Sequence, residues 1–210
     1  MVPAPAAASR RRHSGREMST LLEQVGEHVY SGVGISNTLI ERFAHALCFP
    51  HFAGVFCADR IPTARLLARD VFTLIINLVE RDGPSSSTNG HFVAVCAEPG
   101  RVQYFDPFGR RPSQPLVNEF LGALCRQRRQ LEVNRFQIQH LRSKYCGLYC
   151  VLFLAYQTRA LRNRPVAFRL RFHNRTRKRL GNDGRCVEYL SLLIQRRRVA
   201  PPSVAPPSRS

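Results

Sequence analysis

The sequence predicts an α+β fold in which a mixed central sheet is flanked by helices. Two short apolar runs rich in branched residues, VFTLIINLV (71–79) and HFVAVCA (91–97), are bounded by turn-forming residues and predict central strands covered on both faces. Apolar residues at helical spacing occur before and after these runs. Helices and strands that alternate along 210 residues are typical of one α+β domain with a buried core.

Two helices are predicted ahead of the strands. Apolar side chains recur at helical spacing over 21–29 and again over 39–47. Thr38 and Glu41 have the spacing of a capping box and mark the start of the second helix.

Five further elements are predicted after the central strands. RVQYFD (101–106) follows an EPG turn, so it predicts a hairpin with the run at 91–97. The rest of the chain predicts a helix at 115–128, a strand at 132–138 (EVNRFQI) and helices at 146–158 and 182–195.

The two ends of the chain differ in composition from the middle. Residues 1–17 are rich in Pro and Ala and then in Arg, and they predict a disordered basic arm. The same acid-poor start also fits an organelle transit peptide, but Met18 could equally open the folded part, and we favour the arm. Residues 198–210 predict a disordered Pro-rich tail, which leaves 18–197 as the folded domain.

The charge of the chain is strongly positive. It has 32 Lys and Arg residues against 14 Asp and Glu, a formal net charge of +18, so a polyanion such as nucleic acid is the expected partner. The alternative is a solvated basic surface that only keeps the protein soluble. Besides Arg10–Arg12 and Arg135, the residues expected to contact DNA phosphates without reading sequence are Arg126, Arg128, Arg129, Arg169, Arg171, Arg175, Arg177, Lys178 and Arg179.

The cysteines argue for free thiols. Seven cysteines without a repeating spacing, in a chain with no secretory signal, predict a reduced, intracellular protein. His45, Cys48, His51 and Cys57 lie close together but lack paired zinc-ligand spacing, so we expect core packing there and no metal. No apolar run approaches the ~20 residues needed to span a membrane, and no membrane partner is expected.

Four residues form a candidate catalytic constellation. His91 stands at the first position of one predicted strand, and Asp106 stands at the end of its neighbour, before Pro107. Because paired strands lie about 4.8 Å apart, the imidazole and the carboxylate can touch. Cys146 opens an apolar helix whose N-terminus favours a thiolate, and Gln139 precedes it by seven residues.

Each of these residue types has a chemical role in acyl transfer. An imidazole takes the thiol proton, and Asp106 orients the ring and stabilises the imidazolium. The Cys146 N–H and the Gln139 amide would bind the oxyanion, while Gly147 would let a substrate lie close to the sulfur. Each residue alone has a structural explanation, since a cysteine at a helix start is most often only small and buried. Together, in this order, they predict a nucleophilic site.

These residues resemble the adenovirus protease (adenain) family of cysteine endopeptidases, which includes members carried by virus-like DNA transposons. The resemblance covers about residues 20–195. It rests on GHFVAV (90–95), YFDPFG (104–109), CGLYCVLF (146–153), the place of Gln139 and the segment FAGVFCADRIP (52–62).

The resemblance implies a papain-like, adenain-like fold with a cleft between a helical part bearing Cys146 and a sheet part bearing His91 and Asp106. It also implies a monomeric endopeptidase that cleaves capsid or core precursor proteins in the host nucleus or the virion. DNA and an activating peptide are the only activators that it implies. Most members have tryptophan where this chain has Phe92, and Arg128 stands where adenoviral enzymes have the cysteine that tethers their peptide.

Two other functions remain open at this point. Peptidases that remove small ubiquitin-like modifiers share the order His, Asp, Gln, Cys, but they usually carry a DCG tripeptide that this chain lacks. A basic nucleic-acid-binding protein on the same scaffold, without turnover, is the other alternative. Cys150, one helical turn after Cys146, is expected to serve in packing.

Overall fold

A computed structural model describes residues 35–47, 49, 51–79, 90–158, 172, 179 and 181–199, together with the isolated positions 20 and 23. The predicted arm at 1–17 and most of the predicted helix at 21–29 lie outside the described residues. So does the predicted tail at 198–210, except for its first two residues, which continue the last helix.

A five-stranded mixed sheet forms the centre of the molecule, with the strands in chain order across it. Its strands are β1 (Phe52–Cys57), β2 (Phe72–Asn77), β3 (Phe92–Glu98), β4 (Arg101–Phe105) and β5 (Gln130–Val133). The two edge pairs, β1 with β2 and β4 with β5, are parallel, whereas β2, β3 and β4 pair in antiparallel fashion. The predicted α+β class, the mixed sheet and the hairpin between β3 and β4 are confirmed.

The helices of the described part are α1 (Asn37–Ala46), α2 (Thr63–Leu67), α3 (Pro115–Arg126), α4 (Cys146–Gln157) and α5 (Gly181–Val199), with a short 3-10 helix at Ala58–Arg60.

The start of α1 differs from the prediction. Ser36 is its N-cap, and the Ser36 hydroxyl accepts a hydrogen bond from the Leu39 N–H at 3.2 Å. The predicted capping box of Thr38 and Glu41 is therefore wrong, because Thr38 already lies inside the helix.

The core has two layers, one on each face of the sheet. Alternate side chains of β3 point to opposite faces, so Ala94 and Cys96 pack with α1, α4 and α5, while Val93 and Val95 pack with α3. Every residue of β2 is buried. This arrangement confirms that the two central strands are covered on both faces, and it explains why their sequences are apolar runs and not alternating patterns.

The fifth strand is shifted relative to the prediction at 132–138. It spans Gln130–Val133, and the chain leaves the sheet at Asn134. The Asn134 side chain instead bonds to the backbone of Asp106, and the N–H groups of Ile138 and Gln139 donate to the Pro107 carbonyl at 3.0 and 3.1 Å. The predicted strand is thus interrupted by the contacts that hold the turn after β4.

Candidate active site

His91 and Asp106 meet at one end of the hairpin formed by β3 and β4. His91 immediately precedes β3, and Asp106 immediately follows β4. The His91 Nε2 lies 2.8 Å from the Asp106 Oδ1, and the carboxylate is only 2% exposed. The structure therefore brings this predicted pair into direct hydrogen-bond contact.

The turn after β4 fixes the position of Asp106. Its Oδ1 also accepts from the Phe108 N–H at 2.7 Å, and its carbonyl accepts from the Gly109 N–H at 2.8 Å. The Asn134 side chain forms two hydrogen bonds with the backbone of Asp106. Its Oδ1 accepts from the Asp106 N–H at 2.7 Å, and its Nδ2 donates to the Asp106 carbonyl at 2.8 Å. Gly109 has φ +69°, and an added Cβ would lie 2.7 Å from the Phe136 backbone, so the turn requires glycine.

The electrostatics of the pair favour a protonated imidazole. Burial is the largest single influence and lowers the pKa of His91, but the hydrogen bond to Asp106, the interaction with Cys146 and the charges of both partners outweigh it and raise the pKa from 6.5 to about 9. The other ring nitrogen, Nδ1, is buried and has no hydrogen-bond partner among the described residues. The Cys146 thiol is therefore close enough to raise the pKa of His91, but it does not form a hydrogen bond with Nδ1 in this geometry.

An aromatic stack covers the imidazole. The Phe108 ring lies 4.8 Å from the His91 ring at an interplanar angle of 29°, and the Arg110 guanidinium lies 4.9 Å above Phe108. Only 20% of the His91 side chain is exposed beside this stack, and a hydrogen bond that is largely shielded from water is stronger. Phe108 lies inside the YFDPFG segment, but nothing in that segment predicted that its ring would cover His91.

Cys146 is the first residue of α4 and lies beside the same imidazole. Its thiol contributes to the raised pKa of His91, and its Sγ lies 3.8 Å from the Gly90 carbonyl oxygen. Only 6% of the residue is exposed. Three of the four predicted residues, His91, Asp106 and Cys146, therefore form one cluster at the meeting point of the sheet and α4.

Gln139 lies on the loop that runs from the Asp106 turn to Cys146. It is fully buried, its backbone N–H donates to the Pro107 carbonyl, and its side-chain Nε2 donates to the Ser143 carbonyl at 2.9 Å. The loop is thus bonded to the turn that holds Asp106 at one end and joins Cys146 at the other. The residues that hold it, Asn134 and Ser143, had no local sequence signal.

Gly147 does not face a substrate, contrary to the prediction. An added Cβ would lie within 2.8 Å of the Ile40 Cγ1 and 3.6 Å from the Phe92 Cδ2. Both neighbours are buried, so the missing side chain lets α4 pack closely on α1. Phe92 is likewise a core residue, packed below the site.

Gly147→Ala is expected to destabilise the protein by roughly 1–3 kcal/mol, because the added methyl group overpacks the contact with Ile40. The matched control is Gly184→Ala in α5. A Cβ added there would meet no neighbouring side chain or distant backbone atom within 4 Å, so alanine should stabilise the helix by about 0.5–1 kcal/mol. Thermal denaturation of both variants tests this. A melting temperature of Gly147→Ala at or above that of the original protein would contradict the packing role.

The core packing expected for His45, Cys48, His51 and Cys57 is wrong for the two histidines, because both are exposed. The His45 ring packs edge-on against Phe52 at 5.7 Å, and Cys57 accepts a hydrogen bond from Asn37. Cys150 is fully buried, where burial raises the pKa of its thiol, and its Sγ lies 3.4 Å from the Phe92 carbonyl oxygen. Within the described ranges, no group of three or more His, Cys, Asp or Glu side chains could hold a metal ion. Cys48 falls outside those ranges.

The arginines predicted to contact DNA are divided by the structure. Arg126 and Arg128 are exposed at the end of α3. Arg129 is buried, and its guanidinium donates to the Arg69 carbonyl at 2.8 Å and lies over the Phe72 ring, so its assignment to phosphate is not supported. Arg179 donates to Gln137 at 2.8 Å. The other predicted contacts, namely Arg169, Arg171, Arg175, Arg177 and Lys178, are outside the described residues, as are Arg10–Arg12.

The described helices include none that is both long and apolar enough to cross a membrane. No protein-family model and no curated protein sequence matches this chain.

Among solved structures, the chain is similar to the central domain of the uncharacterized Lpg1148 protein from Legionella pneumophila, at 12% identity and a TM-score of 0.40, covering 75% of this chain and 94% of that one. It is also similar to a deletion variant of AvrA with IP6 and CoA, at 17% identity and a TM-score of 0.39. This match covers 68% of the chain and 60% of the AvrA chain. With TM-scores below 0.5, neither likeness carries an argument about fold or function.

Proposed function

We propose that this chain is a cysteine endopeptidase with an adenain-like, papain-like arrangement of its site. Cys146 is the nucleophile, His91 the base and acid, Asp106 the orienting carboxylate and Gln139 an oxyanion donor. The observation that carries the proposal is the 2.8 Å contact between the His91 Nε2 and the Asp106 Oδ1, with the Cys146 thiol beside the same ring. A nucleophile, a base and a group that orients the base are the minimum for covalent acyl transfer.

The first half of the reaction forms an acyl-enzyme. His91 holds the proton of the thiol, and the thiolate attacks the carbonyl carbon of the scissile peptide bond, so that a C–S bond forms and the carbonyl oxygen becomes an oxyanion. The backbone N–H of Cys146, at the free N-terminus of α4, stabilises that charge together with the Gln139 amide. The His91 imidazolium then gives its proton to the leaving amine, and the C–N bond breaks.

The second half releases the acid. His91, now neutral, takes a proton from water, and the hydroxide attacks the thioester carbon. The C–S bond breaks, and the proton on His91 restores the pair with Cys146. Asp106 supports both halves because its carboxylate stabilises the imidazolium each time it forms.

A substrate panel tests the proposal and separates it from removal of a ubiquitin-like modifier. We expect cleavage of capsid or core precursor proteins and of peptides with a Gly-containing site, and no release of a fluorophore from modifier conjugates. Cleavage of the modifier conjugates alone would show that the protein is a deconjugase and not an endopeptidase. If neither class is cleaved and Cys146 forms no acyl adduct, the inert nucleic-acid-binding alternative replaces both.

DNA is the proposed activator of this endopeptidase. The net charge of +18 and the exposed Arg126 and Arg128 support phosphate binding that does not depend on sequence. Cleavage of a DNA-bound precursor should therefore fall sharply as salt rises from about 50 to 200 mM.

The salt dependence also has a matched set of variants. Arg126→Ala combined with Arg128→Asn should reduce the slope of log affinity against log salt by about 2, one for each phosphate that is no longer neutralised. Asn suits position 128 because its φ is +62°. Arg65→Ala, at an exposed arginine outside the predicted set, is the control and should leave the slope unchanged. Equal slopes in all three proteins would contradict the role of Arg126 and Arg128.

A further inference from the structure

The Ser143 hydroxyl is a junction of three hydrogen bonds on the loop before Cys146. It donates to the Asp183 Oδ1 at 2.9 Å. It accepts from the Gln139 Nε2 at 3.3 Å and from the Tyr145 N–H at 3.2 Å. The Ser143 backbone carbonyl also accepts from the Gln139 Nε2, at 2.9 Å.

These hydrogen bonds use the full capacity of a hydroxyl, which has one proton and two lone pairs. The Ser143 hydroxyl donates its hydrogen bond to Asp183. The same Oδ1 also accepts a hydrogen bond from the Tyr149 O–H at 2.9 Å, as a carboxylate oxygen does. Burial raises the pKa of Asp183, and the two hydroxyl donors, with His140 nearby, partly offset this and favour the carboxylate. The lone pairs of Ser143 are thereby turned towards the N–H groups of Gln139 and Tyr145.

The polarity of this junction determines which end of the Gln139 amide faces Ser143. Both Ser143 oxygens act as acceptors, so the NH₂ end must face them, since a flipped amide would place its oxygen against the Ser143 carbonyl. The Gln139 Oε1 is buried without a hydrogen-bond partner in the described structure. A buried acceptor without a hydrogen-bond partner costs about 1–3 kcal/mol of stability, so the Oε1 end does not favour this orientation. The hydrogen bonds of the NH₂ end to Ser143 are what hold the amide in place.

The first turn of α5 holds the loop from the outside. Asp183 lies in that turn, and the neighbouring Asn182 donates to the Ile138 carbonyl at 2.7 Å. Asp183 is 40 positions from Ser143 and 44 from Gln139, so only the folded chain brings the three together.

We propose that Ser143 and Asp183 are positioning residues that orient the Gln139 amide as an oxyanion donor. This inference rests on the proposed protease function. Neither residue contacts the reacting atoms; each acts through Gln139. In this arrangement one hydrogen of the amide nitrogen is shared between the carbonyl and hydroxyl oxygens of Ser143 in a three-centre hydrogen bond, and the second hydrogen is available to the oxyanion.

Two reagents separate this role from a structural one. Acylation of Cys146 by p-nitrophenyl acetate passes through an oxyanion, whereas its alkylation by iodoacetamide does not. For Ser143→Ala we expect acylation to slow by about tenfold, with iodoacetamide alkylation of Cys146 unchanged within about twofold. Ser143→Thr, which keeps the hydroxyl, should restore most of the acylation rate. Equal losses with both reagents would mean that Cys146 itself is displaced, and would overturn the inference.

Asp183→Asn gives a second route to the same test, and it is the variant to use if Ser143→Ala does not fold. An amide at position 183 can donate a hydrogen bond to the Ser143 hydroxyl, which could then turn its own O–H away from position 183. The lone pairs of Ser143 would no longer be fixed towards Gln139, so acylation should again slow several-fold. The matched control is Tyr149→Phe, which removes a hydrogen bond to the same Asp183 oxygen but does not touch Gln139. It should leave acylation within about twofold.

A double-mutant comparison then identifies Gln139 as the intermediary. In a Gln139→Ala background, Ser143→Ala should change the acylation rate by less than about twofold, because the group it positions is gone. A full tenfold effect in that background would overturn the inference about Ser143 but would not contradict the proposed protease function. If the original protein itself shows no acylation and no cleavage, the proposed function fails first and this inference fails with it.

Discussion

Cys146→Ala is expected to abolish peptide cleavage while the protein remains folded. In the proposed mechanism the Cys146 sulfur forms the acyl-enzyme, and removing a nucleophile that acts with a base costs about 10⁴-fold or more in kcat. The residue is small and buried, and alanine fits the same space at the start of α4. Cleavage of a precursor peptide, followed with thermal denaturation of the same sample, gives the result.

Cys150→Ala is the matched control for this loss. Cys150 lies one turn further along the same helix and is fully buried, and its Sγ contacts the Phe92 carbonyl. The variant should keep most of its activity at the cost of some stability. Cleavage retained by Cys146→Ala, or abolished equally in Cys150→Ala, would remove Cys146 from the mechanism.

His91→Ala is expected to lower kcat/KM by about 10⁴-fold, because the imidazole is the proposed base and it interacts with both Asp106 and the Cys146 thiol. Asp106→Asn should be milder. It keeps the shape of the side chain but removes the charge that stabilises the imidazolium. The predicted order of decreasing severity is therefore Cys146→Ala, then His91→Ala, then Asp106→Asn.

The pH profile shows how these two side chains are coupled. The pKa of His91 is raised to about 9, so kcat/KM should fall on the alkaline side near pH 9, as the imidazolium loses its proton. In Asp106→Asn the pKa of His91 is lowered, and the alkaline limb should move to lower pH. An alkaline limb that stays in place would show that Asp106 does not act on His91.

The same shift makes a statement about stability. Because the folded pKa of His91 lies above its ordinary value of 6.5, its contribution to stability is complete below pH 6.5 and is lost as the pH rises through about 9. Chemical denaturation at intervals across that range should show this decline, and His91→Ala should remove it.

Much of the fold was predictable because its central strands are buried on both faces and its helices have regular apolar spacing. Two strands were not. β1 carries Gly54 at φ +136° and a register shift against β2, so it lacks the pattern of a regular strand. β5 ends early because Asn134 turns to Asp106, a contact between residues 28 positions apart.

The site was predictable where its residues stand at the ends of predicted elements. His91, Asp106 and Cys146 each flank a strand or helix, and the hairpin register places the first two together. The residues that hold Gln139 were not predictable. Ser143 and Asp183 meet only through the docking of α5, and Gly147 was misread because its neighbour Ile40 comes from a distant helix.

The most direct measurement is the site of acylation. The protein would be treated with p-nitrophenyl acetate, digested and mapped by mass spectrometry, beside the His91→Ala variant. The acetyl group should be found on Cys146, and its formation should be much slower in His91→Ala. An adduct carried by another thiol such as Cys57 or Cys125, or a rate that does not depend on His91, would contradict a catalytic pair at this end of the sheet.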